Sequence, residues 1–388
     1  MTKPFENLLV LDLSRYLLGG FMSEYFADFG ARVIKVEDTK SGDYCRNEMP
    51  CKDGESHYHY ALDRNKESLS INLKDEEALH YFYELVKKAD IVIENYRPGV
   101  SKRLKIDFET LKSFNPRIIY CSFSAYGQED PRSLKPLHDI NIVAETGYYD
   151  LNRGNVPVIP PCDLAASMIG LQAVLTALFQ RTVTHEGVHI DASMMNSFMW
   201  WNSIVDSRWD FFGGNLDTNS IEYPSVGYNI YRTKDDRALA FGFYEANFWN
   251  AFCDDINHPE LHGTLKDTYD QNPEAYNAVV ALVKDKTFAE WSKWLSTRDH
   301  CVTPILTKTE AITRYCQNNP SNMAYVTYPR IGRVLQTNTP HVLSSFTPSL
   351  NDVQEPPVLG EHSNKILQEL GAKEDQINAM IKRGAICS

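Results

Sequence analysis

The 388-residue chain has no Cys-x-x-Cys pair, no glycine-rich phosphate loop and no excess of basic residues. Each absence removes a class of function. Its eight cysteines (Cys45, Cys51, Cys121, Cys162, Cys253, Cys301, Cys316 and Cys387) are scattered without zinc-type spacing. They read as reduced thiols of a cytoplasmic protein. A net charge of −12 works against nucleic acid and anionic membrane as partners, since both favour basic surfaces. An anionic small ligand therefore needs a local basic pocket against the overall field. No apolar run approaches the ~20 residues of a membrane span. The opening MTKPFENLLVLDLS lacks the basic, apolar and small-residue succession of an export signal. Gly19-Gly20, without G-x-G-x-x-G, is a weak phosphate-loop signal, so a dinucleotide is not the favoured ligand.

What is present is the composition of an ordinary globular protein, 43% apolar and 23% charged, long enough for two cores. The first 125 residues alternate strand and helix signals. LLVLDLS (8–14), ARVIKVED (31–38), LSINLK, DIVIENY and RIIYCSFSAYG read as strands, with helices at FMSEYFADFG (21–30) and KDEEALHYFYELVKKA. Repeated β-α-β units predict a parallel sheet covered by helices, an α/β fold of Rossmann-like type. A long apolar helix follows at 164–182, then a strand at GVHIDAS and a Met- and Trp-rich helix. From about 223 the character changes to a β-hairpin, YNIYRTKDDRALAFGF, and further helices. The end, VLGEHSNKILQELGAKEDQINAMIKRGAI, reads as an amphipathic helical tail. The expected division is a large domain of 1–205 with 326–388, a linker at 206–222 and a small α+β domain at 223–325.

Two polar residues stand just before apolar segments: His138, in HDIN, and Asp163, at the mouth of the long helix. An aspartate there is a favoured N-cap, and that role is compatible with catalysis because the positive helix end keeps a carboxylate ionised. An ionised carboxylate serves as base or nucleophile. His138 is one of eleven histidines, and a satisfied loop histidine is its plain alternative. Pairing with Asp139 would orient its ring for proton transfer near neutral pH.

Several segments, in order, resemble the family III CoA-transferases, the superfamily that also contains α-methylacyl-CoA racemases. They are VLDLSRYLLGGFMSEYFADFGARVIKVED with Gly42-Asp43 and Arg46, RNKESLSINLK, ADIVIENYRPGVSKRL, NPRIIYCSFSAYGQ, GVHIDASMMNS and VLGEHSNKILQELG. Asp163 stands where that family keeps its catalytic aspartate. The His-Asp pair at 138–139 is similar to racemases, where transferases usually carry tyrosine-aspartate. YRTKDDRALAFGFYEANFW (231–249) puts Glu245 at the racemases' auxiliary acidic position. Departures are Phe21 for a proline, Cys162 for a small residue, and THEGVH (184–189) for a glycine-rich turn.

The resemblance implies an interlocked, ring-like homodimer, with no cofactor beyond the coenzyme A of an acyl-CoA thioester. It implies epimerisation of a 2-methyl-branched acyl-CoA, with His138 and Asp163 serving opposite faces of the α-carbon and Glu245 assisting. Helix N–H groups after Asp163 would stabilise the enolate oxygen. In the alternative, Asp163 is the nucleophile of CoA transfer to a free carboxylic acid. Basic residues beside the N-terminal strand ends would meet the CoA phosphates: Arg15, Lys35, Arg46, Arg64, Lys66, Arg97, Lys102 and Arg103. Asn95, Tyr96 and Arg103 match the family's CoA-contacting segment, and Arg15, Arg46, Arg64 and Asp139 complete the expected binding set.

Overall fold

Short runs of branched apolar residues become six parallel strands: β1 (Leu9–Asp12), β2 (Arg32–Glu37), β3 (Glu67–Ile71), β4 (Ile91–Glu94), β5 (Ile119–Ser124) and β6 (His189–Ser193). Their spatial order is 3-2-1-4-5-6, the order of doubly wound Rossmann sheets. Central strands of such a sheet are covered on both faces, so β1 and β4 are apolar up to their last residues, Asp12 and Glu94: Val10, Leu11, Ile91, Val92 and Ile93 have no exposed surface. The computed structural model describes residues 2–214 and 224–388.

One face of the sheet is covered by α1 (Leu17–Asp28), α2 (Asp139–Glu145), α3 (Pro161–Thr184) and α4 (Met194–Trp201). The other is covered by the helix Glu76–Val86 and by Ser363–Glu369 and Glu374–Lys382 from the chain's end, through Phe82, Leu85, Ile366, Ile377 and Met380. Glycines at 19 and 170 permit close packing. A Cβ on Gly19 would stand 2.1 Å from Ser14 Oγ, and one on Gly170 would stand 2.5 Å from the Phe123 ring. Gly19-Gly20 thus seats α1 on the sheet; it is not a phosphate loop.

The chain divides into two units, Met1–Ser203 with Asn319–Ser388, and Ile204–Asn318. The first unit resumes at Asn319, ahead of the expected 326, because the hairpin Met323–Tyr328/Gly332–Thr337 belongs to it. Gln336 of that hairpin accepts from Arg64 at 2.7 Å and donates to the Tyr60 carbonyl at 2.9 Å. Within the expected linker, Ser203–Phe211 is a helix; residues 215–223 lie outside the described residues. The tail is not helical throughout. After Gly384, at φ +73°, the chain turns and Ile386–Cys387 pairs antiparallel with β3 as a seventh strand.

Helix α3 has 24 residues and, by length and composition, is long and apolar enough to cross a membrane. This corrects the expectation that no segment would be. Here it packs along one side on α1, α2, α4, β5 and β6. The second unit pairs Tyr228–Arg232 with Ala238–Gly242 as the expected hairpin and adds Val302–Pro304. Its core holds Trp249, Phe252 and Trp291, with both indole N–H groups donating to carbonyls, Leu261 at 2.8 Å and Val283 at 3.0 Å.

Candidate active site

In a sheet of order 3-2-1-4-5-6 the winding reverses between β1 and β4, and a crevice opens at their carboxyl ends. The turns leaving these strands are locked together. Asn95 accepts the Arg15 N–H at 2.9 Å and donates to the Arg15 carbonyl at 2.7 Å. A cavity of about 1090 Å³ occupies the crevice, lined by Arg15, Tyr16, Asn95, Tyr96, His138 and Asp163 among others. The Arg15 guanidinium lies 4.5 Å from the Tyr44 ring centre and 6.0 Å from that of Tyr96, so two aromatic faces hold a cation at the wall.

The other basic residues separate into two groups. Arg97 and Arg103 line the cavity, as do Lys40, Lys74 and Lys135, three lysines outside the expected set. Lys40 and Lys74 lie three residues beyond the ends of β2 and β3, the turn positions where this architecture gathers ligand contacts. Arg46 and Arg64 are held inside the fold and are not among the cavity's lining residues, a correction of their expected contact with CoA. Arg46 forms a two-pronged pair with Glu37 at 2.6 and 2.8 Å. Arg64, 2% exposed, pairs with Asp28 at 2.6 Å and Glu24 at 2.8 Å. Lys102 does not line the cavity either.

Lys35 and Lys66 are buried with Asp12, Asp43 and Asp63, not turned to a ligand. Burial alone would lower the Lys35 pKa and raise that of Asp12. Asp12 and Asp43 overcome this for the lysine, and Lys35 and Lys66 overcome it for the aspartate, so the charged forms persist. The network fixes the turn at the cavity: Asp43, 2.8 Å from Lys35 Nζ, accepts the Tyr16 N–H at 3.0 Å. Tyr16 sits at φ 59°, ψ −145°, a conformation costing on the order of 1–3 kcal/mol that only surrounding structure maintains. Cys45, His59 and Asp63 also cluster here, but Asp63 is bonded to both His59 and Lys66, and Arg46 Nη1 is 3.2 Å from His59 Nε2. Two resident cations disfavour a metal ion at that cluster.

Asp163 is the third residue of α3 and does not cap it; Pro160 stands at the cap position. The capping oxygen comes from Asp139, whose Oδ1 accepts the N–H groups of Cys162 at 2.7 Å and Asp163 at 3.0 Å. Three expectations change. Asp139 does not bond the His138 ring, because its carboxylate closes α3. The first-turn N–H groups of α3 are already bonded and are not open to an enolate oxygen. Nor does the helix end hold Asp163 low: burial, then the Asp139 charge, push its carboxyl up to about 7. Among the described residues none hydrogen-bonds that carboxylate. His138 is exposed on the same cavity, heading α2, with its backbone N–H bonded by Asn141 at 3.1 Å. Tyr58 lines the wall too, close enough for Asp163 to raise its pKa after burial does. Glu245 lies in the second unit, exposed at the start of the helix Ala246–Asp255 and just past the strand Ala238–Gly242.

The sequence profile of CoA-transferase family III matches residues 5–363. The chain belongs to this family. Its relatives divide between two chemistries. It is 29% identical to an acetyl-CoA:oxalate CoA-transferase of Acetobacter aceti over 96% of this chain and 97% of that one. It is 28% identical to the α-methylacyl-CoA racemase of Homo sapiens over 96% and 94%. A CAIB/BAIF family protein from Brucella suis has the same fold, with a TM-score of 0.83 at 23% identity over 95% of this chain and all of that one. In this family III enzyme, Asp163 and His138 are thus brought to one cavity that also carries cations and aromatic faces.

Proposed function

We propose that the protein epimerises a 2-methyl-branched acyl-CoA thioester by two-base proton transfer through an enolate. One observation carries the reading: an imidazole, His138, and an unbonded carboxylate, Asp163, line a single cavity. A thioester acidifies its α-hydrogen by spreading the carbanion onto the carbonyl oxygen. Inversion needs one group to remove the proton from one face and another to return a proton to the opposite face. A carboxyl raised to about 7 takes up and returns a proton readily at neutral pH, and the imidazole supplies the second acid/base group. No metal or redox group is required by this chemistry beyond the coenzyme A that the substrate brings. Arg15, Arg97, Arg103, Lys40 and Lys74 would meet its phosphates, with Asn95 and Tyr96 shaping the turn. Glu245 keeps its auxiliary acidic role on the ground of the resemblance.

The reading also takes the protein as a cytoplasmic homodimer with interlocked subunits. Eight free thiols and the apolar side chains left exposed on α3 and α4 (Met168, Phe179, Val183 and Trp200) support it. The transferase reading has its own support in the acetyl-CoA:oxalate relative and in the absence of any described hydrogen-bond partner for the Asp163 carboxylate, which suits a nucleophile.

Incubation with a chiral 2-methylacyl-CoA in heavy water, without an acceptor acid, separates the two. Deuterium at the α-carbon with loss of configuration is expected. His138→Ala should abolish exchange, and Asp163→Ala should do the same. Absence of exchange, with CoA transfer once a free acid is added, would overturn the racemase reading.

A further inference from the structure

The start of α3 presents two N–H groups, of Cys162 and Asp163, that need an acceptor, and Pro160 at the cap position offers no side-chain oxygen. Helices meet this need with an acidic or hydroxyl residue of their own. Here the acceptor comes from α2, through Asp139 Oδ1 at 2.7 and 3.0 Å. We infer that Asp139 is a positioning residue for the reaction, closing the first turn of α3 from a neighbouring helix and so leaving the Asp163 carboxylate unbound at the cavity wall. The same two bonds tie the head of α2, where His138 sits, to the head of α3. One carboxylate thereby fixes the spacing of both proton carriers. This rests on the acyl-CoA reading above.

The charge of Asp139 adds a second effect, supporting burial in holding the Asp163 carboxyl near 7. Ionisable groups around Asp163 are Asp139 and His138 from the head of α2, Tyr58 from the helix His57–Leu62, and the Cys162 thiol on α3 itself. Beside them α1 and α4 line the cavity with Leu18 and Met194.

The test uses Asp139→Asn, which keeps an acceptor oxygen without charge, and Asp139→Ala, which removes both. Carboxyl carbon NMR of the full-length protein, without substrate, follows Asp163, with Asp163→Asn assigning its resonance. The Asp163 midpoint is expected to fall in Asp139→Asn, and the acid limb of the rate profile to move to lower pH with it. Turnover in Asp139→Asn should stay within about tenfold of wild type, while Asp139→Ala loses about 10²-fold from misplacement of α3. An unmoved midpoint in Asp139→Asn, or equal losses in the two variants, overturns the proposal. Should Asp139→Ala not fold, Asp139→Ser, which removes the charge and draws the acceptor back from α3, takes its place and should lose clearly more turnover than Asp139→Asn. The titration needs no turnover, so failure of acyl-CoA chemistry in the wild type would sink the functional reading and still leave Asp139 decidable.

Discussion

Asp163 is under two opposing demands. Chemistry needs the carboxylate ionised, and its surroundings favour the proton, through burial first and Asp139 second. In the unfolded chain the group titrates near its ordinary value of 3.8, in the folded protein near 7. Between those values the folded state binds the extra proton, so stability falls as pH rises through that window and stays lower above it. Asp163→Asn removes the ionisation. The variant should be more stable than wild type at pH 8 by on the order of 1–2 kcal/mol, a figure discounted for cavity water, and equal to it near pH 4. Paired thermal melts at the two pH values measure this; a variant less stable at pH 8 would contradict it. The residue's importance was legible from its place before an apolar helix, but its freedom from capping was not. That depends on Asp139, 24 residues earlier, whose meeting with α3 is a tertiary fact.

At the scale of the element, β2 shows how one short segment serves the fold and the ligand separately. Lys35 lies inside the strand, opposite Asp12 in register, and both are buried. Lys40 lies three residues past the strand's end and is exposed at the cavity. Removing one member of a buried ion pair strands its partner, so Lys35→Met should cost about 3–5 kcal/mol, because Asp43 loses its cation and Asp12 keeps only Lys66. Lys40→Ala should leave the melt within about 0.5 kcal/mol and weaken CoA binding measured by calorimetry. The reverse pattern would reassign both lysines. Here the sequence carried a usable signal. A lysine flanked by Val-Ile and Val-Glu in a central parallel strand must be buried, and a buried lysine needs a carboxylate. Arg46 and Arg64 have no such signal, because their partners Glu37, Glu24 and Asp28 come from elements that meet only in the fold. The strands themselves read well, since parallel central strands are apolar along most of their length. The last strand, Ile386–Cys387, was hidden because two residues carry no period.

At the scale of the whole molecule, the parallel sheet and its crevice follow from β-α-β alternation, whereas assembly is a matter of surfaces. Phe179 and Val183 on α3 are 75% and 73% exposed, in a helix apolar enough to resemble a membrane span. A face of that character is what the proposed dimer would cover. The proposed ring-like interlocking makes a sharper demand than dimerisation alone. Two face-to-face subunits separate on dilution with their folds intact, at a concentration set by their affinity. Linked rings can part only if one chain opens. Sedimentation velocity should therefore show a dimer at nanomolar concentration, and in rising urea the dimer should persist until far-UV circular dichroism is lost, both transitions shifting together with protein concentration. Dissociation on dilution with circular dichroism unchanged would rule out interlocking while leaving a simpler dimer standing, and a Phe179→Glu/Val183→Glu variant that sediments as a folded monomer would do the same.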